Sequence, residues 1–509
     1  METEQDIYDL LIVGGGINGA GVACDAAGRG LKVALCEQGD LGSATSSASS
    51  KLIHGGLRYL EYYQFRLVRE SLRERDVMLA KAPHMVGKRE FVLPHYNSRR
   101  PAWMVHLGLF LYDFLAQSSR LASTRAVDLS RDPMGAPLKE NIRRGFVYSD
   151  CWVDDSRLVI VNIMAAADAG ARILTRTRLE HAERKAGLWQ ARLKDLRTGR
   201  ETVWRARAIV NATGPWAENV RNAKLSGGGM VKKHIRLIKG SHLVVPSLYN
   251  GEHAFILQNP DGRVVFVLPF QDNYSLLGTT EVNFDGDPAK ARMDLDEAQY
   301  ICDAVNGYWA RPVSPDDAVW SFAGVRPLFD DDAGDASAMS RDYVLDLQDD
   351  GGELPVLSIL GGKLTTYRRL AERVLDRLKP FFPDMGNAWT ATEPLPGGDM
   401  DGGNVQRFLS ALGNDYPGLD RKWLRDLTRR HGTRMRDILG VAENPDGLGR
   451  DFGAGLYQRE IEYLIDREWA ETADDVLWRR TKCGLAMTDG ERQAVAGYME
   501  SLKSAKRSG

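Results

Sequence analysis

The residues of this chain that could do chemistry fall into two sets. One is a glycine trio, Gly14, Gly16 and Gly19, in the run GGGINGAG, which satisfies G-x-G-x-x-G. In that spacing the first glycine permits a tight turn, the second lets the backbone approach a pyrophosphate, and the third lets a helix pack on the preceding strand. Glu37 follows at close to the expected spacing of about 20 residues, where an acid can hydrogen-bond an adenosine ribose. The second set is cationic or titratable: His54, Arg58 with Tyr59, Arg326, Arg341 and Lys363. An imidazole accepts a proton near neutral pH, and arginines hold a phosphate through paired N–H groups. Taken singly, each arginine is more often a surface ion pair, and a loop histidine is often hydrogen-bonded for structure alone. His242 is a second, weaker candidate base.

These residues need elements to position them. Ile7 to Val13 is an apolar run of strand length directly before the glycines, and Lys32 to Cys36 is a second strand ending at Glu37. Strand, glycine turn, helix and strand together predict binding of an ADP moiety, with helix N–H groups aimed at the phosphates. The motif alone does not separate NAD from FAD. Gln38 to Leu57 is rich in small and hydroxyl residues. It follows the ribose-binding strand, so it can cross over a bound dinucleotide, with Ser46, Ser47 and Ser50 as donors. A long helix is expected from Arg58 to about Ala80, and another from Asp154 or Asp155 to Ala169, stopped by Gly170. Ala208 to Asn211 reads as a core strand ending in a small-residue turn at Gly214.

Between Ile235 and Thr280 short apolar runs alternate with turns, which predicts an antiparallel sheet. The strand Leu354 to Leu360 meets Gly361-Gly362, Lys363, Leu364 and Thr365 and then a helix, forming a second N-terminal dipole site. After a linker-like Pro394 to Gly398 the pattern turns helical to the C-terminus. There, Asp474 to Arg480 reads as a capped helix with two acids first and two arginines last, or as a second anion site. Ala102 to Leu115 is apolar with arginines just before it, which fits a buried helix or one lying in a membrane interface.

The chain has 509 residues, 43% hydrophobic and 27% charged, with a net charge of −2. That composition is globular, and nothing in the overall charge favours nucleic acid. Five cysteines without a C-x-x-C pair suggest reduced thiols and no metal site. No signal peptide is expected, and no stretch reaches the roughly 20 apolar residues of a spanning helix.

The run TSSASSKLIHGGLRYLEYYQFRLV (Thr45 to Val68), with the opening glycines, resembles the FAD-dependent glycerol-3-phosphate dehydrogenases of bacterial respiratory chains, in the D-amino-acid-oxidase-like superfamily. The likeness continues through RGFVYSDCWVDDSRL, NATGPW, RLIKGSH, GVRPL, SRDY, GGKLTTYR and DDVLWRRTKCGL. It implies an α/β fold: a Rossmann-like FAD-binding domain (1–80, 145–225 and 321–385), an antiparallel-sheet substrate and membrane-facing domain (81–144 and 226–320), and a C-terminal helical domain (396–509). It also implies oxidation of sn-glycerol 3-phosphate to dihydroxyacetone phosphate, with electrons passed to a membrane quinone. The enzyme would sit in the cytoplasm, bound peripherally to the inner membrane, and a homodimer is compatible with the likeness. Arg58, Tyr59, Arg326 and Arg341 would converge on the substrate, His54 would be the base, with Arg326 or water as rivals, and Lys363 would face the flavin pyrimidine ring. An oxygen-using oxidase and a non-enzymatic flavin-binding redox sensor are the alternatives.

Overall fold

The computed structural model describes residues 6–96, 98, 100–116, 120–226, 235–329 and 342–508. Ile7–Val13 forms the central strand of an eight-stranded sheet, paired in parallel with Glu201–Asn211 on one side and Val33–Cys36 on the other. Glu353–Leu360 adds beyond Glu201–Asn211, again in parallel, and Arg172–Leu174 beyond Val33–Cys36. Parallel strands covered on both faces bury nearly every side chain, which is why these runs read as continuous apolar segments. One face carries the helices Ile17–Gly28, Asp155–Asp168 and Tyr367–Leu378, whose small and aliphatic side chains share one core. Asp154 caps the second of these, its side chain accepting from Arg157 N–H as the sequence suggests.

A ten-stranded sheet forms the second layer, built on Ile235–Pro246 and the antiparallel strands Ala254–Gln258, Val264–Phe270 and Tyr274–Gly278. The antiparallel expectation holds for the pairs within this region, while Ala254–Gln258 also pairs in parallel with Val86–Pro94. Arg144–Val153 and Trp320–Phe329, which fall almost wholly within the ranges expected for the FAD-binding domain (145–225 and 321–385), pair as strands of this second sheet. Their partners lie far away in sequence, at Val86–Pro94 and Ile235–Pro246, and an apolar run does not name its neighbour.

The helix expected from Arg58 is two elements. A 3-10 turn, Leu57–Tyr62, ends where Tyr63 takes a left-handed conformation (φ 56°), and the α-helix Phe65–Lys81 starts afresh. Likewise Pro394 to Gly398 is no loose tether. Leu395 is buried, and a Cβ on Gly398 would fall 2.0 Å from the Lys81 carbonyl.

Helices of 5 to 11 residues and a final one of 20, Asp489–Ser508, make up most of the C-terminal region, and their apolar faces continue the core of the first layer through residues such as Leu424, Ile461 and Leu464. Paired charges span this seam. Arg157, 1% exposed, holds Glu468 through both terminal guanidinium nitrogens, and His431 lies between Glu460 (2.8 Å) and Glu468 (3.4 Å). All five cysteines are buried free thiols.

His84 is buried close to this seam, and neither ring nitrogen has a hydrogen-bond partner among the described residues. Burial first, then the charges of Arg157 and His431, push its pKa down to about 3. An unfolded histidine titrates near 6.5, so between these values the unfolded chain binds the extra proton. His84 therefore supports full stability above about pH 6.5, and that contribution is lost as pH falls towards 3, by at most about 1.4 kcal/mol per unit. Thermal unfolding followed from pH 7 to pH 5 should show a falling Tm, and His84→Leu should flatten that dependence.

Candidate active site

Where the strand Ile7–Val13 ends, the backbone turns through Gly14 at φ +109°, and a Cβ there would meet the Ala212 carbonyl at 2.6 Å. Gly19 is tighter still, since a Cβ would lie 1.9 Å from the Gly14 carbonyl. This is the close helix-on-strand approach expected of the third glycine. Ser46 fixes the start of the following helix by accepting from Ile17 N–H at 2.9 Å. Glu37 accepts from Gly15 N–H (2.7 Å) and Gly39 N–H (2.6 Å), which tie its carboxylate to the glycine turn while burial raises its pKa.

A cavity of about 810 Å³ opens over this turn. Its wall includes Gly14, Gly16, Glu37, Ser46, Ser47 and Ser50, then Gly214 from the strand-end turn. Gly361, Gly362, Lys363, Leu364 and Thr365 close another part of it. The glycine pair there, both with positive φ, leads into a 3-10 turn at Leu364–Thr366 and only then the helix Tyr367–Leu378. Asn18 joins the two glycine turns by donating to the Gly361 carbonyl at 3.1 Å. Its own Oδ1 is buried with no hydrogen-bond partner among the described residues.

His54, Arg58, Tyr59 and Arg326 line the same cavity. The His54 amide donates to Thr365 Oγ1 at 3.3 Å, which pins that histidine to the second glycine turn. Lys363 Nζ stands 3.7 Å from the centre of the Tyr59 ring, a close cation–π contact. Arg326 donates to Thr279 Oγ1 at 2.9 Å. Arg341 lies outside the described residues. His242 is one layer back from the wall, 1% exposed, stacked on Phe322 at 4.9 Å and paired through Nε2 with Ser50 Oγ at 2.9 Å. Burial, then the charges of Arg326 and Lys51, hold its pKa well below the usual histidine value, so it is a weak base.

Several wall residues carried no signal in the sequence reading. Glu281 contacts both candidate arginines, and Thr279 holds Arg326, yet an isolated acid after a strand looks like any solvated charge. Trp478 and Arg479 also line the cavity, bringing the C-terminal region into it. Their segment, Asp475–Arg480, is one π-helical turn, not a regular capped helix. The anion its arginines meet is internal: Arg480 grips Asp40 with two bonds of 2.7 and 2.9 Å.

A long cavity that starts at a G-x-G-x-x-G turn, with a carboxylate at the second strand end and a second glycine turn opposite, suits an elongated dinucleotide. The Gly14 and Gly16 backbone is bare enough for a diphosphate, and the unsatisfied Asn18 Oδ1 awaits a donor. The residues present fit FAD, and the chain belongs to the FAD dependent oxidoreductase family, whose model matches residues 9–368. Residues 388–506 match the C-terminal domain of alpha-glycerophosphate oxidase. FAD is thus the cofactor of this flavoenzyme. Among its relatives, an aerobic glycerol-3-phosphate dehydrogenase of Escherichia coli is 46% identical over 98% of both chains. A D-erythritol 1-phosphate dehydrogenase of Brucella abortus is 48% identical over 98% of this chain and 99% of its own. The solved structure of the glycerol-3-phosphate dehydrogenase from Bacillus halodurans complexed with FAD superposes with a TM-score of 0.75 at 25% identity, covering 98% of this chain and 95% of that one.

Proposed function

We propose that this flavoenzyme oxidises sn-glycerol 3-phosphate to dihydroxyacetone phosphate and delivers the electrons to a membrane quinone. The observation that carries the reading is the meeting of two arginines and a histidine in the wall of the cofactor cavity. Relatives named for either substrate share a phosphorylated polyol, so a phosphate site is the common requirement.

In this reading Arg58 and Arg326 hold the phosphate by charge-assisted hydrogen bonds, and the carbinol carbon is thereby fixed. His54 takes the hydroxyl proton. Tyr59, packed under Lys363, shapes the wall between these groups. FAD, when bound, supplies the acceptor for the hydrogen and electron pair leaving that carbon. Lys363 and the amides after Gly362 set positive charge on one side of the cavity.

The test is an anaerobic visible spectrum with sn-glycerol 3-phosphate, D-erythritol 1-phosphate and glycerol. Bleaching by the first at the lowest concentration, with none by glycerol, supports the assignment. Preferential bleaching by the tetritol phosphate would overturn it in favour of the longer polyol.

Delivery to a quinone requires a membrane face. The helix Ala102–Ala116 turns Trp103 (66% exposed), Leu107, Phe110 and Phe114 outward while Leu109 and Tyr112 are buried. Tyr63, at 80% exposure in the break before Phe65, is another exposed aromatic. No helix among the described residues is long and apolar enough to cross a membrane. A bare apolar stripe of this kind suits an interfacial helix. Replacing Trp103, Phe110 and Phe114 by Glu should cut co-sedimentation with liposomes at least tenfold, since each buried aromatic contributes roughly 1.5–3 kcal/mol. Dye-linked turnover in solution should stay close to that of the parent protein. Unchanged sedimentation would remove this helix from the membrane contact.

A further inference from the structure

Glu281 stands between the two arginines assigned to the phosphate. Its Oε2 lies 3.8 Å from Arg58 Nη1, and its Oε1 lies 3.4 Å from Arg326 Nη1. The side chain is 11% exposed and lines the cavity. Both contacts are longer than the usual 2.7–2.9 Å of a charge-assisted hydrogen bond. The carboxylate therefore links the two guanidinium groups, accepting a long hydrogen bond from Arg326 and meeting Arg58 by charge alone. Arg326 is held independently by Thr279, so its place in the wall does not depend on Glu281 alone.

This arrangement sets up a conflict. A phosphate monoester carries about −1.5 to −2 charge at neutral pH. Brought to the same two arginines, it meets a fixed carboxylate of the same sign in a partly dehydrated site, where like charges interact more strongly than in water. Two facing arginines with no anion between them would repel each other by the same rule. One group resolves both problems if it neutralises the pair in the free enzyme and weakens the hold on the phosphate once that arrives.

We propose that Glu281 is the resident counter-anion of the phosphate clamp, holding Arg58 and Arg326 in position when the cavity is empty and limiting how tightly a phosphorylated substrate or product is bound. The proposal rests on the reading of Arg58 and Arg326 as phosphate ligands. Glu281 is then a positioning and affinity-setting residue. Its effect on turnover arises because substrate and product carry the same phosphate: tighter binding of one is slower release of the other.

The experiment uses the FAD-loaded full chain and inorganic phosphate as a competitive probe. Glu281→Gln keeps the shape and removes the charge. It should lower the Ki for phosphate and the KM for sn-glycerol 3-phosphate by roughly five- to tenfold, the scale of one charge interaction in a partly solvated site. Turnover at saturation should fall with them. Glu281→Asp keeps the charge and should leave the phosphate Ki within about twofold of the parent, which also controls for folding. A side chain needed only for structure gives the opposite sign, with KM and Ki rising together in Glu281→Gln. That outcome, or an unchanged Ki, overturns the proposal. Arg58→Gln and Arg326→Gln are measured in parallel. If they raise KM while Glu281→Gln does not lower Ki, the clamp stands and the role of Glu281 falls; if they leave KM unchanged, the clamp itself fails.

Discussion

Replacing His54 by Asn is expected to lower kcat about a thousandfold, within the range for losing a positioned general base, with KM changed only a few fold. The argument is positional. His54 is half-buried in the cavity wall, its backbone tied to Thr365 in the turn that also supplies Lys363. Asparagine keeps that backbone bond and a smaller, uncharged polar side chain, so FAD should remain bound with its visible spectrum intact. His242 does not offer a substitute, because burial and the charges of Arg326 and Lys51 hold its pKa well below the usual histidine value. A loss of less than about tenfold in stopped-flow flavin reduction would move the proton to water or to Arg326.

The other large effect is on stability. Arg157→Met is expected to destabilise the fold by about 3–5 kcal/mol, because it leaves the Glu468 carboxylate buried without its bidentate partner. Both side chains are at 1% exposure or less, and the guanidinium also donates to the Arg430 carbonyl at 2.8 Å. Arg157, more than any other group, draws the Glu468 carboxyl well below the usual carboxylate range, against the opposing push of burial. A carboxyl with a depressed folded-state pKa stabilises the protein above its unfolded value, near 4, and loses that contribution as pH falls further. Chemical denaturation of Arg157→Met, Glu468→Met and the double variant measures the coupling. The double variant should be less destabilised than the sum of the singles by about 2 kcal/mol or more. Additive losses would show that the pair is not coupled.

Much of this was legible in the sequence, for reasons that differ from element to element. Gly14, Gly16 and Gly19 were readable because their spacing is itself the signal, although only the Gly19 contact, against the Gly14 carbonyl, is local; Gly14 faces Ala212 and Gly16 faces Ser46. Strands from Ala254 to Gly278 were readable because hairpins pair neighbours and leave turn residues between them, whereas Ile235–Pro246 skips two strands to pair with Tyr274–Gly278. The sheet joined by Arg144–Val153 and Trp320–Phe329 was not readable, since their hydrogen-bond partners are set by packing of distant segments. Tyr63 gave no warning of its left-handed backbone, because that conformation normally announces itself with glycine or asparagine. Within the site, His54, Arg58, Tyr59, Arg326 and Lys363 were picked out and do share one cavity. Glu281 and Trp478 were missed because their roles depend on what they face. The arginines of Asp474 to Arg480 were noticed as an anion site, and the anion proved to be Asp40.

The grip of Arg480 on Asp40 ties the two ends of the cavity wall together. Asp40 lies at the root of the serine-rich segment that lines the cavity, 1% exposed, with Arg479 and Arg480 as its partners. In sequence Arg480 lies 440 residues beyond Asp40. Without that segment Asp40 is a buried acid lacking both arginines, and the cavity wall lacks Trp478. A chain truncated before Trp478 keeps every glycine of the nucleotide motif, yet is expected to lose FAD on gel filtration, so an intact fingerprint is no guarantee of an intact cofactor site.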